Sequence, residues 1–226
     1  MSMRVHNFGA GPSALPLSVL EQVQEELLDY RKTGMSILES SHRGKAYDEI
    51  HQRTTRDLKT LLGIDDSHEI LFMGGGARSQ FAIIPMNLLP EGGSAEYITT
   101  GNWSVMALAE ARKQGSIRQL WSSVPSGNDR VPTPGDLEVA SEASYLHYPS
   151  NNSIAGTQYH FVPPAGAVPL VCDMSSDILS RPLDLAPFGL VYAGAQKNLG
   201  PAGVTLVVVR KDLLERSPAK LPDTMN

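Results

Sequence analysis

Residues 190–201, Leu190-Val191-Tyr192-Ala193-Gly194-Ala195-Gln196-Lys197-Asn198-Leu199-Gly200-Pro201, open as an apolar run and close on one lysine among small residues and glycines. An apolar segment without strict alternation reads as a strand buried on both faces, so Lys197 stands where such a strand runs out. Upstream, Val168-Pro169-Leu170-Val171-Cys172 is a second run of the same kind, and it ends on Asp173. Segments 70–72, 97–99, 117–121, 145–148 and 204–209 complete the expected strands. Helical spacing predicts helices over 17–32, 47–62, 79–89 (despite Pro85) and 105–114, with Gly34, Gly63 and Gly115 past three of their ends. Helices interleaved with apolar strands predict an α/β fold: a mainly parallel central sheet flanked by helices. Ligands of such sheets collect at the carboxyl ends of the strands. That places Gly74 to Arg78, Trp103, Asp173 and Lys197 on one rim. Residues 122–142, rich in Pro, Gly, Ser and Asp, read as a surface excursion.

Bulk properties exclude several classes of function. A net charge of -5 with scattered Lys and Arg offers no basic field, so nucleic-acid binding is not expected. The one cysteine, Cys172, cannot close an internal disulfide and reads as a small core residue. The histidines lack ligand-like spacing, so no metal site is expected, and His147 reads as a strand residue. With no signal-like start and no apolar run near the ~20 residues of a membrane span, a cytoplasmic location is the default expectation.

An amine and a carboxylate at neighbouring strand ends suggest pyridoxal 5'-phosphate. That cofactor needs a lysine to condense with its aldehyde and an acid to keep its pyridine nitrogen protonated, which makes the ring an electron sink. The lysine would then act as the base that moves the substrate α-proton. The competing reading makes Lys197 a solvated loop residue and Asp173 a strand-end cap.

Longer words decide between them. Asp173-Met174-Ser175-Ser176-Asp177-Ile178-Leu179-Ser180-Arg181-Pro182 and Tyr192-Ala193-Gly194-Ala195-Gln196-Lys197-Asn198-Leu199-Gly200-Pro201-Ala202-Gly203-Val204 closely resemble the phosphoserine aminotransferase family. So do Asn7-Phe8-Gly9-Ala10-Gly11-Pro12-Ser13-Ala14-Leu15-Pro16, Gly34-Met35-Ser36, Ser41-His42-Arg43, Gly74-Gly75-Gly76-Ala77-Arg78, Pro85-Met86-Asn87-Leu88-Leu89 and Gly101-Asn102-Trp103-Ser104, collinear along the whole chain. The resemblance implies the aspartate-aminotransferase fold (fold type I), with residues 1–226 as the cofactor-binding large domain and its N-terminal segment. The family's small C-terminal domain is expected to be absent.

The resemblance also assigns roles. Lys197 and Asp173 would be catalytic. Gly76, Ala77 and Arg78 follow a strand and open a helix, where backbone N–H groups and the helix dipole suit a phosphate; taken alone, the turn is as readily structural. Gln196 would be a further phosphate contact, or a loop amide. Trp103 would lie on the pyridine ring, with core packing as its rival. Ser153, where the family usually shows threonine, keeps the hydroxyl that meets the cofactor's phenolic oxygen but loses the β-branch; Asn152 and Ala155 depart from the usual pattern too. His42 and Arg43 would grip a substrate phosphate or carboxylate, a planar fork suiting either, and otherwise read as a solvated pair.

The implied activity is transfer of an amino group from glutamate to the phosphorylated 2-oxo acid 3-phosphohydroxypyruvate in serine biosynthesis, by a homodimer. The related phosphohydroxythreonine step of pyridoxine synthesis is secondary. Rivals are a non-catalytic fragment that binds the cofactor or a partner, an alanine-glyoxylate aminotransferase, or a cysteine desulfurase, for which Cys172 is poorly placed.

Overall fold

The computed structural model describes residues 4–226. In chain order it contains α1 (Leu17–Glu26), α2 (Lys45–Leu62), β1 (His68–Gly74), α3 (Gln80–Leu88), β2 (Ser94–Thr99), α4 (Asn102–Ala111), β3 (Ser116–Ser122), β4 (Leu146–Pro149), β5 (Asn151–Asn152), β6 (Thr157–Gln158), β7 (Leu170–Asp173), β8 (Phe188–Gly194), β9 (Val204–Arg210) and α5 (Lys211–Leu214). Seven strands form one sheet in the order β1-β9-β8-β7-β4-β2-β3, and β5 with β6 makes a small hairpin. The pairs β2–β3, β2–β4, β4–β7 and β7–β8 are parallel. Within the seven-stranded sheet only β9 runs against its neighbours, pairing antiparallel with both β8 and β1. The ends of β1, β2, β4, β7 and β8 therefore share one rim, as the apolar runs predict.

Both faces of the sheet are covered. Leu190 and Tyr192 point to the face packed by Phe81, Ile84 and Leu88 of α3, Ala107 and Leu108 of α4 and Leu213 of α5. Val191 and Ala193 point to the other face, covered by Leu58 and Leu62 of α2 and by Tyr159, Ile178 and Leu185 from the loops. Burial on both sides explains why strands such as Val204–Arg210 read as continuous apolar runs instead of alternating ones.

Two helices differ from the sequence expectation. α1 stops at Glu26, and Arg31 and Lys32 take positive φ instead of continuing to residue 32. The Asp29 carboxylate accepts from the Gly34 amide at 2.8 Å, and the Tyr30 amide donates to the Met35 carbonyl at 2.9 Å. A short acidic side chain thus closes a turn in competition with the helix. α1 buries no residue, and its apolar Leu17, Val19, Val23 and the following Leu28 are exposed. α4 starts three residues earlier than its apolar spacing indicates. The Ser104 hydroxyl oxygen accepts from the amides of Thr100 and Gly101 at 2.9 and 3.2 Å, satisfying donors at the helix entrance. Trp103 is thereby drawn into the first turn.

The excursion of residues 123–145 is anchored by a buried carboxylate. Glu96 of β2 accepts from Arg118 Nε at 2.6 Å and from the Ala140 amide at 3.3 Å, while Arg118 also donates to the Glu138 carbonyl at 2.8 Å.

Candidate active site

The rim of aligned strand ends holds a cavity of about 400 Å³. Lys197, Asp173, Gly76, Ala77, Arg78, Trp103, Ser153 and Gln196 all line it. These residues come from five separate loops, and the parallel sheet brings them together. His42 and Arg43 are not among them. Both are exposed in the loop leading into α2, so any grip on substrate by this pair rests on resemblance alone.

Lys197 sits in the turn between β8 and β9. It is half-buried, and its Nζ donates to Ser153 Oγ at 3.2 Å. The N-terminal segment crosses this turn: the Ser13 amide donates to the Gln196 carbonyl at 2.8 Å, and Gly11 lies against the aliphatic stem of Lys197. The Gln196 side chain folds back over Gly194, where a Cβ would stand 2.7 Å from its Oε1.

Asp173 closes β7 and is held by Ser175. Its Oδ1 accepts from the Ser175 amide at 2.9 Å and from Ser175 Oγ at 2.6 Å. Burial pushes the Asp173 pKa up, and the Ser175 hydrogen bonds, Tyr192 and the positive charge of Lys197 act against that rise. Ser175 Oγ in turn accepts from the Gly194 amide at 3.1 Å, tying the end of β7 to the end of β8 three residues before Lys197. Ser175 is a site residue that the sequence reading passed over. Its only signal was its place two residues beyond Asp173.

The glycine-rich turn is fixed by β9. The Gly75 amide donates to the Gly203 carbonyl at 2.8 Å, and Thr205 Oγ1 donates to the Gly75 carbonyl at 3.1 Å. Gly75 takes φ +98°, a backbone state that side chains disfavour. A short 3-10 turn, Ala77–Ser79, then leads into α3, and its residues line the cavity. Trp103 is 38% exposed and lines the cavity wall, outside the buried core. Ser176 and Asn151 also line the cavity and are joined by a 2.6 Å hydrogen bond.

Two expectations concern residues outside this site. Cys172 is fully buried on the other face of β7, and burial pushes its thiol well above the ordinary range, which is no setting for a reaching nucleophile. Among the described residues, no group of three or more His, Cys, Asp or Glu side chains could hold a metal, and no helix is long and apolar enough to cross a membrane.

Comparison with known proteins identifies the family. The family model for aminotransferase class V matches residues 5–225. A phosphoserine aminotransferase from Desulfatibacillum aliphaticivorans is 53% identical over 98% of this chain and 61% of its own length, and one from Niallia circulans is 52% identical over the same shares. Among solved structures, the phosphoserine aminotransferase of Bacillus circulans subsp. alkalophilus superposes with a TM-score of 0.95 at 51% identity, covering 98% of this chain and 62% of that one. The chain thus spans about three fifths of the length of the curated relatives it matches.

Proposed function

This chain belongs to the aminotransferase class-V family, and on that premise we propose that it binds pyridoxal 5'-phosphate and passes an amino group from glutamate to 3-phosphohydroxypyruvate. The products would be 2-oxoglutarate and O-phosphoserine. The observation that carries the reading is the meeting of one amine, Lys197, and one partly buried carboxylate, Asp173, in a single cavity walled by an indole and by the start of a helical segment.

The donor set fits the cofactor. An amine for the aldehyde, an acid for the ring nitrogen, an aromatic side chain, a hydroxyl and, for the phosphate, Arg78, Gln196 and the glycine-rich turn are all present among the lining residues. When bound, the cofactor supplies a carbonyl that takes up the amino group and a cationic ring that draws electrons from the substrate α-carbon.

The chain's own residues do the rest. Lys197 would hold the cofactor and, once released, would serve as the base that takes the proton from the substrate α-carbon. Asp173 keeps the ring nitrogen protonated, and the two Ser175 donors keep Asp173 ionised despite its burial. Trp103 covers the ring and shields the reacting face from water. The N–H groups at Gly76 and Ala77, with Arg78 and Gln196, hold the phosphate. Ser153 meets the phenolic oxygen through the hydroxyl that Lys197 already contacts.

Residues 1–226 act in this reading as the large, cofactor-binding domain of a cytoplasmic homodimer, a proposal supported by the resemblance to phosphoserine aminotransferases. The test is borohydride reduction of the chain saturated with the cofactor, followed by peptide mapping. Label at Lys197 supports the reading, and label elsewhere or nowhere sinks it. The substrate assignment fails separately if phosphorylated and unphosphorylated 2-oxo acids accept the amino group at equal rates.

A further inference from the structure

Ser153 meets Lys197 from a hairpin too small to hold itself in place. β5 and β6 pair through two residues each, Asn151 with Gln158 and Asn152 with Thr157, and a two-stranded hairpin of that size has little stability of its own. Its position is set by what ties it down, and several ties converge on the turn after β7. Ser176 Oγ donates to Asn151 Oδ1 at 2.6 Å, and Gln158 Nε2 donates to Asp177 Oδ2 at 3.1 Å. Two consecutive residues of the turn thus grip the two members of one register pair, one on each strand.

Asp177 also takes the hydroxyl of Ser150 at the entrance of the hairpin. Ser150 Oγ lies within reach of both Asp177 Oδ1 and the Asp173 carbonyl, and it has one proton to give. The Asp173 carbonyl already accepts from the Ser150 amide at 2.9 Å, so the proton goes to the carboxylate, the stronger acceptor. The Asp177 side chain is 9% exposed, has Arg181 at 4.0 Å, and stands outside the set of residues that line the cavity. The same turn holds the lysine side of the site. Asn198, next in sequence to Lys197, donates from Nδ2 to the Ile178 carbonyl at 2.6 Å. Residues 176–178 therefore fix both partners of the 3.2 Å hydrogen bond between Lys197 Nζ and Ser153 Oγ.

We propose that Asp177 is a positioning residue for Lys197: by accepting from Ser150 and Gln158 it locks the β5–β6 hairpin onto the turn after β7 and holds the Ser153 hydroxyl against the amine. Its meaning for the reaction rests on the reading of Lys197 and Ser153 as cofactor contacts. A carboxylate is required because both neighbours are donors. Asp177→Asn keeps the shape but turns an amide N–H toward one of them, leaving two donors face to face. Serine at position 153 makes the lock matter more, since without a β-branch its hydroxyl is directed less by its own rotamer and more by where the hairpin sits.

The test compares Asp177→Asn with the swap Asp177→Asn/Gln158→Glu, which moves the carboxylate across the hydrogen bond so that donor again meets acceptor. In the chain without cofactor, Lys197 is acetylated with limiting reagent at fixed pH, and its rate is read by mass spectrometry against the exposed Lys45 and Lys220. Asp177→Asn raises the rate roughly two- to tenfold, the worth of one hydrogen bond. Ser153→Ala raises it as much, and the two together add nothing further, because Asp177 acts through Ser153. The swap returns the rate to that of wild type. In the chain saturated with pyridoxal 5'-phosphate, the pH midpoint of the visible absorbance band moves in Asp177→Asn in the same direction as in Ser153→Ala, and the swap restores it. A folded Asp177→Asn chain with both readings unchanged overturns the proposal, as does a swap that restores neither, or full additivity with Ser153→Ala. If Asp177→Asn does not fold, Gln158→Leu, which removes one donor from the hairpin, decides by the same readings. If the wild-type chain takes up no cofactor, the functional reading fails, and the acetylation rates still decide the lock.

Discussion

The backbone of Gly101 lies so close to the side-chain amide of Asn152 that a Cβ there would fall 1.7 Å from Nδ2 and 2.6 Å from Cγ. This contact joins the loop before α4, which carries Trp103, to the hairpin that carries Ser153. Asn152 Nδ2 donates to the Thr100 carbonyl, and its Oδ1 accepts from the Ile154 amide at 3.1 Å, so the amide cannot simply swing away. Gly101→Ala therefore forces apart two cavity walls. The expected cost is about 2–3 kcal/mol in denaturant unfolding, from overpacking and a lost buried hydrogen bond, together with weaker cofactor binding.

Trp103→Ala removes the indole from the cavity wall without opening the core, since the residue is already 38% exposed. Stability should change little. Cofactor affinity, read by equilibrium titration of absorbance, should fall roughly tenfold, equivalent to about 1.4 kcal/mol of lost stacking. An unchanged affinity would return Trp103 to a packing role.

Asp173 sets a stability cost that depends on pH. Its folded pKa is raised by burial above the ordinary 3.8, so the folded chain prefers the protonated acid. The stability tied to that preference is fully present below the ordinary value and is lost as pH rises through the folded one. Cofactor-free Asp173→Asn should thus match wild type in urea unfolding near pH 3 and exceed it at pH 7, while losing cofactor binding. Wild type proving the more stable at pH 7 would contradict the sign.

Arg118→Met leaves Glu96 as a buried carboxylate facing only the Ala140 amide. Loss of about 2–3 kcal/mol is expected, below that of a fully buried pair because the Arg118 side chain is 53% exposed. The excursion it anchors should become protease-sensitive near Glu138, whose carbonyl Arg118 also holds. Intact cofactor binding in the same variant would show that the anchor and the cavity are independent.

Lys197→Ala should abolish borohydride-stable labelling and lower transamination by at least about 10²-fold, the lower bound for loss of a positioned proton carrier. Folding should be unaffected, because among the described residues the amine hydrogen-bonds only the Ser153 hydroxyl on the cavity surface.

Strand ends were legible in the chain because they are written locally. An apolar run that gives way to Asp173, or to the small residues before Lys197, marks its own termination, and those residues fell on one rim once the runs were read as parallel strands. The start of α4 was readable in principle from the Gly101 and Ser104 spacing, yet apolar periodicity alone missed it, because the first turn of that helix is held by hydrogen bonds to a serine oxygen. The exposed setting of His42 and Arg43 was not legible, since neither residue type nor spacing says which face of the molecule a loop joins.

What the sequence determined by itself was the family of chemistry: an amine, an acid, a glycine-rich turn and an indole, each closing or following its own apolar run. What only the tertiary structure decided was adjacency. Strand order β1-β9-β8-β7-β4-β2-β3 sets Asp173 beside Tyr192, and Tyr192 within reach of His147, although these residues lie 19 and 45 positions apart. Such meetings depend on nonlocal pairing register, in which a slip of one residue would turn every side chain to the opposite face.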